Sequence, residues 1–274
     1  MKKHFEFKSD KQVFRILITE TDKLLIETRD TTTKEVSFHC YDLQTGDCVF
    51  SNYQLEEKTW LGIEAIYKDV IYFHKFPKPD LPGHKEIIAL DIASQKVLWH
   101  NNENAFLFAY QDKVYSFTQG FEDRYFLTLD YMSGEQKENL GSDYTLVNSL
   151  RAESDIAKDW SCYVYPELNL STADETTMQT ILNFTRSFSV KGEIEWASIN
   201  ELLMFSFHAK EKDEKLTNRF VALNKNSTKT IMAETLNENV TALLTDSFFV
   251  YMDFLFLLKE KNEVVVYVLR QDQD

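Results

Sequence analysis

The sequence predicts an all-β fold made of repeated four-stranded units, and three observations support this. A turn signature that begins with Asp or Asn recurs about every 40 to 50 residues. Each copy lies between two runs in which apolar and polar residues alternate, the pattern of strands with one buried face. Aromatic residues make up 14% of the chain, with 21 Phe and 13 Tyr, which is ample for packed sheets. A repeat of this length predicts a β-propeller.

The turn signature occurs four times and is predicted to join the last two strands of each unit. The copies are Asp42-Leu43-Gln44-Thr45-Gly46, Asp91-Ile92-Ala93-Ser94-Gln95, Asp130-Tyr131-Met132-Ser133-Gly134 and a weaker Asn224-Lys225-Asn226-Ser227-Thr228. The last interval is roughly double the others. We therefore expect one further copy to have diverged near residues 170 to 185.

The first two units are the clearest. Their predicted strands are Phe14 to Thr19, Leu24 to Thr28, Glu35 to Tyr41 and Cys48 to Tyr53, then Gly62 to Tyr67, Val70 to His74, Glu86 to Leu90 and Lys96 to His100. The last unit, with strands predicted over Val240 to Leu244, Phe248 to Met252 and Val264 to Leu269, is one strand short. His4 to Lys8 is predicted to complete it and so close the ring, which removes an exposed edge.

These units predict a propeller of six four-stranded blades in a single domain, residues 1–274. The fourth blade, roughly Ser142 to Ser189, is irregular, and five blades remain if that stretch is an insertion. Within it, Leu150 to Trp160 and Asp174 to Leu182 can each form a short helix.

Composition and charge restrict the partners and the location. The formal net charge is −14, and no stretch gathers enough Lys and Arg to form a basic groove, so nucleic acid and anionic membranes are excluded as partners. The amino terminus lacks the apolar core of a signal peptide. The longest apolar stretch, Phe248 to Leu258, is well short of the roughly 20 residues that span a bilayer. We expect a cytoplasmic protein without structural disulfides.

Residues 88–99, Ile-Ala-Leu-Asp-Ile-Ala-Ser-Gln-Lys-Val-Leu-Trp, resemble the repeat of quinoprotein-type (PQQ-type) propellers, whose blades end in Ala-Leu-Asp-x-x-Thr-Gly-Lys-x-x-Trp. The resemblance implies a β-propeller with tight tryptophan packing between blades. It does not imply quinone binding, because the cofactor and metal ligands of quinone dehydrogenases have no counterpart that we can place in this chain. We therefore expect no cofactor.

A second resemblance is closer. The segments Lys58 to Ala65 and Leu81 to Ala89 are similar to a small family of uncharacterised bacterial proteins of about this length. The similarity is better in the amino-terminal half than in the carboxyl-terminal half. It implies a bacterial source and brings no activity with it.

Two glutamates lie at matching places in the second and fifth units. First strands line the channel of a propeller, so Glu64 and Glu195 could face its axis, where paired carboxylates suit acid–base chemistry. A glycan hydrolase that uses Glu64, Glu195 or Asp253 is therefore one hypothesis. The alternative is that these carboxylates are solvated or pair with Arg15 or Arg29.

Candidate binding residues lie in the second unit. His74 ends a strand and His84 ends the proline-stiffened loop of the same unit, so the two histidines can converge on one face. We predict no metal site, because no usual ligand spacing supplies a third ligand. Stiff loops lose little entropy on docking, so the loop from Pro77 to His84, which includes Pro82, forms with Trp60 the surface best suited to bind a partner. The alternative is that this loop only closes its blade.

No catalytic motif stands out, since the chain has no phosphate-binding glycine loop, Gly-x-Ser-x-Gly elbow or His-Glu-x-x-His pair. The predicted function is that of a non-catalytic binding or scaffold module for an unknown protein or small molecule. The ligand-binding residues assigned to it are Trp60, Glu64, His74, Pro82 and His84. The glycan hydrolase is the competing hypothesis.

Overall fold

The structure is a computed structural model that describes residues 1–76, 83–211 and 214–269. It confirms the all-β prediction, since the described residues form 21 strands and two α-helices. By internal packing the chain divides into two compact units. We call Lys11–Asp159 unit N, and Met1–Asp10 with Trp160–Asp274 unit C. The single domain predicted for residues 1–274 stays a prediction.

Short strands follow one another along the chain, and both α-helices lie near its middle. The strands of the amino-terminal part are β1 (Lys2–Lys8), β2 (Gln12–Ile18), β3 (Lys23–Arg29), β4 (Val36–Asp42), β5 (Cys48–Tyr53), β6 (Leu61–Tyr67), β7 (Val70–Lys75), β8 (Lys85–Asp91), β9 (Lys96–Asn101), β10 (Ala105–Tyr110), β11 (Lys113–Gln119), β12 (Arg124–Asp130) and β13 (Gln136–Gly141). They are followed by α1 (Tyr144–Ile156), β14 (Tyr163–Val164), a short 3-10 helix (Leu170–Thr172), α2 (Glu175–Thr185), β15 (Val190–Ile199), β16 (Leu202–Lys210), β17 (Leu216–Asn224), β18 (Thr230–Val240), β19 (Phe248–Tyr251), β20 (Phe254–Lys259) and β21 (Glu263–Val268).

The strands form five antiparallel sheets, each with neighbouring strands in simple up-and-down order. Unit N contains the first sheet (β2-β3-β4-β5), the second (β6-β7-β8-β9) and the third (β10-β11-β12-β13). Unit C contains the fourth sheet (β15-β16-β17-β18) and the fifth (β1-β21-β20-β19-β14). Sheets of this order are consistent with the predicted propeller.

A blade count of six is not confirmed, because the described residues form five sheets. The stretch predicted as an irregular fourth blade, roughly Ser142 to Ser189, contains α1, α2 and the short strand β14 instead. Both helices begin at an aspartate, Asp143 or Asp174, whose side chain accepts a hydrogen bond from a backbone N–H of the first turn. None of the described helices is both long and apolar enough to cross a membrane.

The last sheet confirms one prediction and corrects another. The amino-terminal strand β1 pairs with β21 and completes the sheet, as predicted for His4 to Lys8. The strand predicted over Val240 to Leu244 was wrong, since β18 ends at Val240. This sheet also contains β20, a strand that was not predicted. Its start was not recognised because Phe248 to Leu258 is one long apolar stretch without a clear turn signal.

The turn signature has the same side-chain hydrogen bonds in the first, third and fourth sheets. Asp42 Oδ1 accepts hydrogen bonds from the backbone N–H groups of Gln44 and Thr45, both at 2.9 Å. The N–H of Gly46 donates to the Asp42 carbonyl at 2.9 Å, and Gly46 has a φ of 78°, which costs glycine little. Asp130 and Asn224 accept the same pair of side-chain bonds. The signature is therefore a hairpin turn fixed by its own side chain, as predicted.

The core of unit N lies between its sheets. Phe38 of the first sheet packs against Phe73 of the second, with ring centroids 4.9 Å apart. Trp99 of the second sheet donates from its indole N–H to the carbonyl of Tyr131 in the third sheet at 3.1 Å. Its ring lies so close to Gly134 that a Cβ there would be 2.6 Å from Trp99 Cδ2. The tryptophan packing between sheets that the first resemblance implied is therefore present.

The turn aspartates should contribute measurably to stability. In Asp42→Ala both backbone N–H groups lose their acceptor, so we expect the free energy of unfolding in urea to fall by about 1 kcal/mol. The matched control is Asp47→Ala, an exposed position in the same turn, where a change within about 0.5 kcal/mol is expected. Equal losses in the two variants would contradict the assigned role of Asp42.

Candidate functional site

The second sheet brings Glu64, His74 and His84 together, and we call these three residues the histidine–glutamate cluster. Nδ1 of His84 lies 2.7 Å from Oε1 of Glu64 and hydrogen-bonds to it. Nδ1 of His74 lies 3.1 Å from the same oxygen, without the alignment of a hydrogen bond. One potential ligand atom from each residue can be chosen so that all three lie within 4.8 Å of one another.

Glu64 reaches the histidines because it occupies a β-bulge. The register of β6 on β7 runs from Ile63 opposite Phe73 to Ala65 opposite Tyr72, so that Glu64 is the extra residue. A bulge interrupts the alternation of side chains and redirects the residue that it adds. Glu64 is consequently held on a rigid strand, with its side chain only 13% exposed.

His74 is buried next to a second irregularity. The pairing of β7 with β8 shifts between Phe73 and Lys75, and Glu86 on the opposite strand has a φ of 62°. On its other side His74 pairs with Gly62. A Cβ at Gly62 would lie 2.6 Å from Cε1 and 2.8 Å from Nε2 of His74, so that only glycine leaves room for this ring.

The ring of His74 is 3% exposed, yet neither of its nitrogens has a hydrogen-bond partner among the described residues. It stacks on the ring of His84, with centroids 3.6 Å apart and an angle of 6° between the planes. Phe76 packs edge-on against both imidazoles, at 4.7 Å from His74 and 5.5 Å from His84. Burial of Nε2 is costly, because it has lost its bonds to water without gaining a hydrogen bond, whereas Nδ1 keeps its contact with Glu64 Oε1.

The electrostatics of Glu64 reflect two opposing effects. Burial raises the pKa of its carboxyl group, and contacts with the imidazoles of His74 and His84 lower it by more, so that this pKa lies below its ordinary value. The carboxylate is therefore the ionised form at neutral pH.

The remaining predicted binding residues are placed differently. Trp60 is 40% exposed, and its carbonyl accepts a hydrogen bond from the N–H of Phe76 at 3.0 Å. Pro82 lies outside the described residues, as does most of the loop before His84. The rings of His74 and His84 converge as predicted, and Glu64 places a third possible ligand atom beside them. The prediction of no metal site stays a prediction.

Glu195, the second predicted channel carboxylate, lies in unit C and is 4% exposed. Its Oε1 accepts a hydrogen bond from the N–H of Asp246 at 2.6 Å. Its Oε2 accepts from the hydroxyl of Ser206 at 2.6 Å and from the N–H of Ser247 at 3.2 Å. These three bonds tie the segment before β19 to the fourth sheet, which is a structural arrangement.

Asp253 and the predicted arginine partners have other contacts. Asp253 lies in the hairpin between β19 and β20, where its carbonyl accepts from the N–H of Leu269 at 2.8 Å. The guanidinium of Arg29 pairs with Glu27 at 2.7 Å. Arg15 donates to the carbonyl of Ile63 at 2.6 Å.

A cavity of about 500 Å³ that the sequence did not predict lies elsewhere in unit N, and none of its lining residues belongs to the histidine–glutamate cluster. It is bordered by the third sheet and α1, with Arg124 and Arg151 balanced by Glu122 and Asp123. Arg124 already donates to Gln119 Oε1 at 3.2 Å. The cavity is open to solvent, and apolar, acidic and basic side chains all line it. Within the described part of the chain, none of these side chains is buried without a hydrogen-bond partner. The cluster is therefore the stronger candidate.

Comparison with known proteins finds one family model that matches part of the chain. Residues 18–99 match the model named "Domain of unknown function (DUF4905)". This match confirms the predicted resemblance of the amino-terminal part to an uncharacterised family, and it includes the histidine–glutamate cluster. A comparison with curated proteins finds no match.

Several solved structures are similar over most of this chain. A europium-containing methanol dehydrogenase is 12% identical, with a TM-score of 0.32 and coverage of 95% of this chain and 51% of that chain. A quinohemoprotein alcohol dehydrogenase from Comamonas testosteroni is 12% identical, with a TM-score of 0.30 and coverage of 95% and 43%. A bifunctional GH43-CE protein of Bacteroides eggerthii is 10% identical, with a TM-score of 0.29 and coverage of 100% and 35%. The chain spans about half the length of these proteins or less. Because the TM-scores are this low, we transfer no property of these proteins to this chain.

The close fit of His74 to Gly62 gives a first prediction for the site. In Gly62→Ala the new Cβ collides with a ring that is buried, so we expect the free energy of unfolding in urea to fall by about 1–3 kcal/mol. The control is the same change in a His74→Ala background, where the collision is gone and the additional loss should be close to zero. Equal losses in both backgrounds would show that the ring is not what Gly62 accommodates.

The pH dependence of stability should report the Glu64 carboxylate. Because folding lowers its pKa, ionised Glu64 stabilises the folded state above its unfolded pKa of about 4.3, and this contribution is lost as the pH falls through the folded-state pKa. We expect the difference in free energy of unfolding between wild type and Glu64→Gln to be larger at about pH 6 than at about pH 3. A difference that does not change with pH would contradict this assignment.

Proposed function

We propose that this protein is a non-catalytic binding module whose ligand site is the histidine–glutamate cluster. The observation that supports this most strongly is the buried ring of His74, which makes no well-aligned hydrogen bond in the described part of the chain and whose only charged contact there is Glu64, at 3.1 Å from Nδ1. An unsatisfied buried polar group costs about 1–3 kcal/mol, and an apolar side chain at the same position would avoid that cost. A ligand that bonds to the cluster would offset it.

The construction of the cluster fits a binding role. Glu64 and His74 are held by strands and by a bulge, which fixes their geometry before any ligand arrives. His84 is 39% exposed and borders solvent, so it leaves a route into the cluster. Phe76, whose ring packs edge-on against His84, adds aromatic surface next to that route.

The competing proposal, a glycan hydrolase built on Glu64, Glu195 and Asp253, has less support. Glycosidases use two carboxyl groups about 5 to 10 Å apart that are free to exchange protons with the substrate. Both oxygens of Glu195 are already occupied by hydrogen bonds within the fold. Asp253 belongs to a hairpin turn.

For the class of ligand, we propose a small molecule or ion, or a protein partner, and neither nucleic acid nor an anionic membrane. The formal net charge of −14 repels polyanions at long range and raises the local concentration of cations.

A thermal-shift screen tests the proposal. Purified wild type is heated with sugars, nucleotides, organic acids and metal salts, beside Glu64→Gln and the control His100→Gln, whose histidine contacts Glu86 rather than the cluster. A ligand present at about 100 times its Kd adds about 2.7 kcal/mol to stability. We expect at least one compound to raise Tm by about 5 °C in wild type and in His100→Gln, and not in Glu64→Gln.

Two results would contradict a binding role at the cluster. One is the absence of a shift with every compound. The other is a shift of equal size in Glu64→Gln, which would place the ligand at another site.

A further inference from the structure

We propose that the ligand of the histidine–glutamate cluster is a divalent transition-metal ion of the zinc type, held by both imidazoles and the Glu64 carboxylate. This inference rests on the binding function proposed above and names its ligand. Two imidazoles with one carboxylate form a donor set typical of Zn²⁺ and neighbouring divalent metals. Ca²⁺ and Mg²⁺ prefer shells of oxygen ligands and fit this set poorly.

The distances in the cluster suit one small ion. Ligand atoms at about 2.0–2.1 Å from a shared ion lie roughly 3 to 4 Å from each other. The two Nδ1 atoms lie 2.7 Å and 3.1 Å from Glu64 Oε1. The donor atoms are therefore close to the spacing that an ion needs, with one atom of each residue within 4.8 Å of the others, and a small movement of one ring would complete the site.

The parallel rings show what must move when an ion binds. An ion bonded to an imidazole nitrogen lies near the plane of that ring, and planes at 6° with centroids 3.6 Å apart cannot both contain it. His74 is fixed by its burial and by Gly62. His84 is 39% exposed and is the ring that can turn. Binding thus breaks the stack and rotates His84 about its side-chain torsions towards Glu64.

The electrostatics of the cluster also favour a cation. A divalent ion would lie next to the carboxylate of Glu64 and be attracted by it, and bonded also to two neutral imidazoles it would leave the site with a net charge of about +1. His74 would at the same time gain a bonding partner for its Nδ1. Three protein ligands leave at least one position of a tetrahedral ion open towards solvent on the side of His84.

Isothermal titration with metal salts tests this proposal. The whole chain is stripped with a chelator and titrated with zinc chloride, and in parallel with magnesium chloride. We expect wild type to bind one Zn²⁺ per chain and no Mg²⁺. Glu64→Gln and His84→Gln should each bind Zn²⁺ at least about 10-fold more weakly, whereas the control His100→Gln should keep the wild-type Kd. Far-ultraviolet circular dichroism verifies that every variant is folded.

A second readout reports coordination directly. Cobalt(II) replaces zinc in such sites and gives a visible absorption spectrum that depends on its ligands. We expect bands in wild type and His100→Gln that are lost or shifted in His84→Gln. Spectra that are identical in His84→Gln and wild type would overturn the assignment of His84 as a ligand.

The remaining outcomes separate this inference from the proposed function. Zn²⁺ binding that is unchanged in both Glu64→Gln and His84→Gln would overturn the inference, because the ion would then lie on another acidic surface. If no metal binds but an organic compound raises Tm in wild type and not in Glu64→Gln, the metal inference fails and the binding function stands. If neither metals nor other compounds bind, both fail.

Discussion

A backbone hydrogen bond between two hairpin turns is the constraint on which each complete sheet depends. The residue after the signature Asp donates its N–H to the turn of the first hairpin, from Leu43 to Asp22 at 2.9 Å and from Ile92 to Asp69 at 3.0 Å. Both turns lie at the same end of the sheet, so this bond fixes the register of all four strands there. In the second sheet, His74 and His84 of the histidine–glutamate cluster lie towards the opposite end, away from these two turns.

Much of this architecture could be predicted from the sequence, because it is encoded locally. Alternation and the Asp turn located every strand of the first two sheets to within a few residues. The small number of glycines did not prevent tight turns, since residues other than glycine, such as Lys68 and Asp69, adopt positive φ in the two-residue turns. The secondary structure around α1 and α2 was harder to predict, because the turn signals there are weak and a short apolar run is compatible with either a strand or a helix.

The site could be predicted only in part, for a physical reason. Strand positions suggested that His74 and His84 converge, which depends on the ends of two adjacent strands. Glu64 was assigned to the binding residues from its place on the first strand of the second unit. Its contact with both histidines was not predicted, because it depends on a bulge between Ile63 and Ala65 that the sequence pattern does not reveal. The burial of Glu195 was also not predicted, because two of its three hydrogen-bond donors, Asp246 and Ser247, lie 51 and 52 residues away in sequence.

Each of the three sheets of unit N has a bulge in the middle of its first strand. The bulge is therefore a feature of the fold and not of the histidine–glutamate cluster alone. In each sheet the bulge residue lies diagonally across from the residue that pairs two positions before it. These diagonal pairs are Phe14 with Arg29, Glu64 with His74, and Leu107 with Phe117. In the first sheet the guanidinium lies 3.6 Å from the centre of the phenyl ring, and in the third sheet two apolar side chains share a core cluster. Both of these pairs fit the same backbone geometry, and neither leaves a buried side-chain nitrogen without a hydrogen bond. The cost carried by His74 is therefore not a requirement of the fold, and a ligand is the simplest physical reason for a chain to retain it.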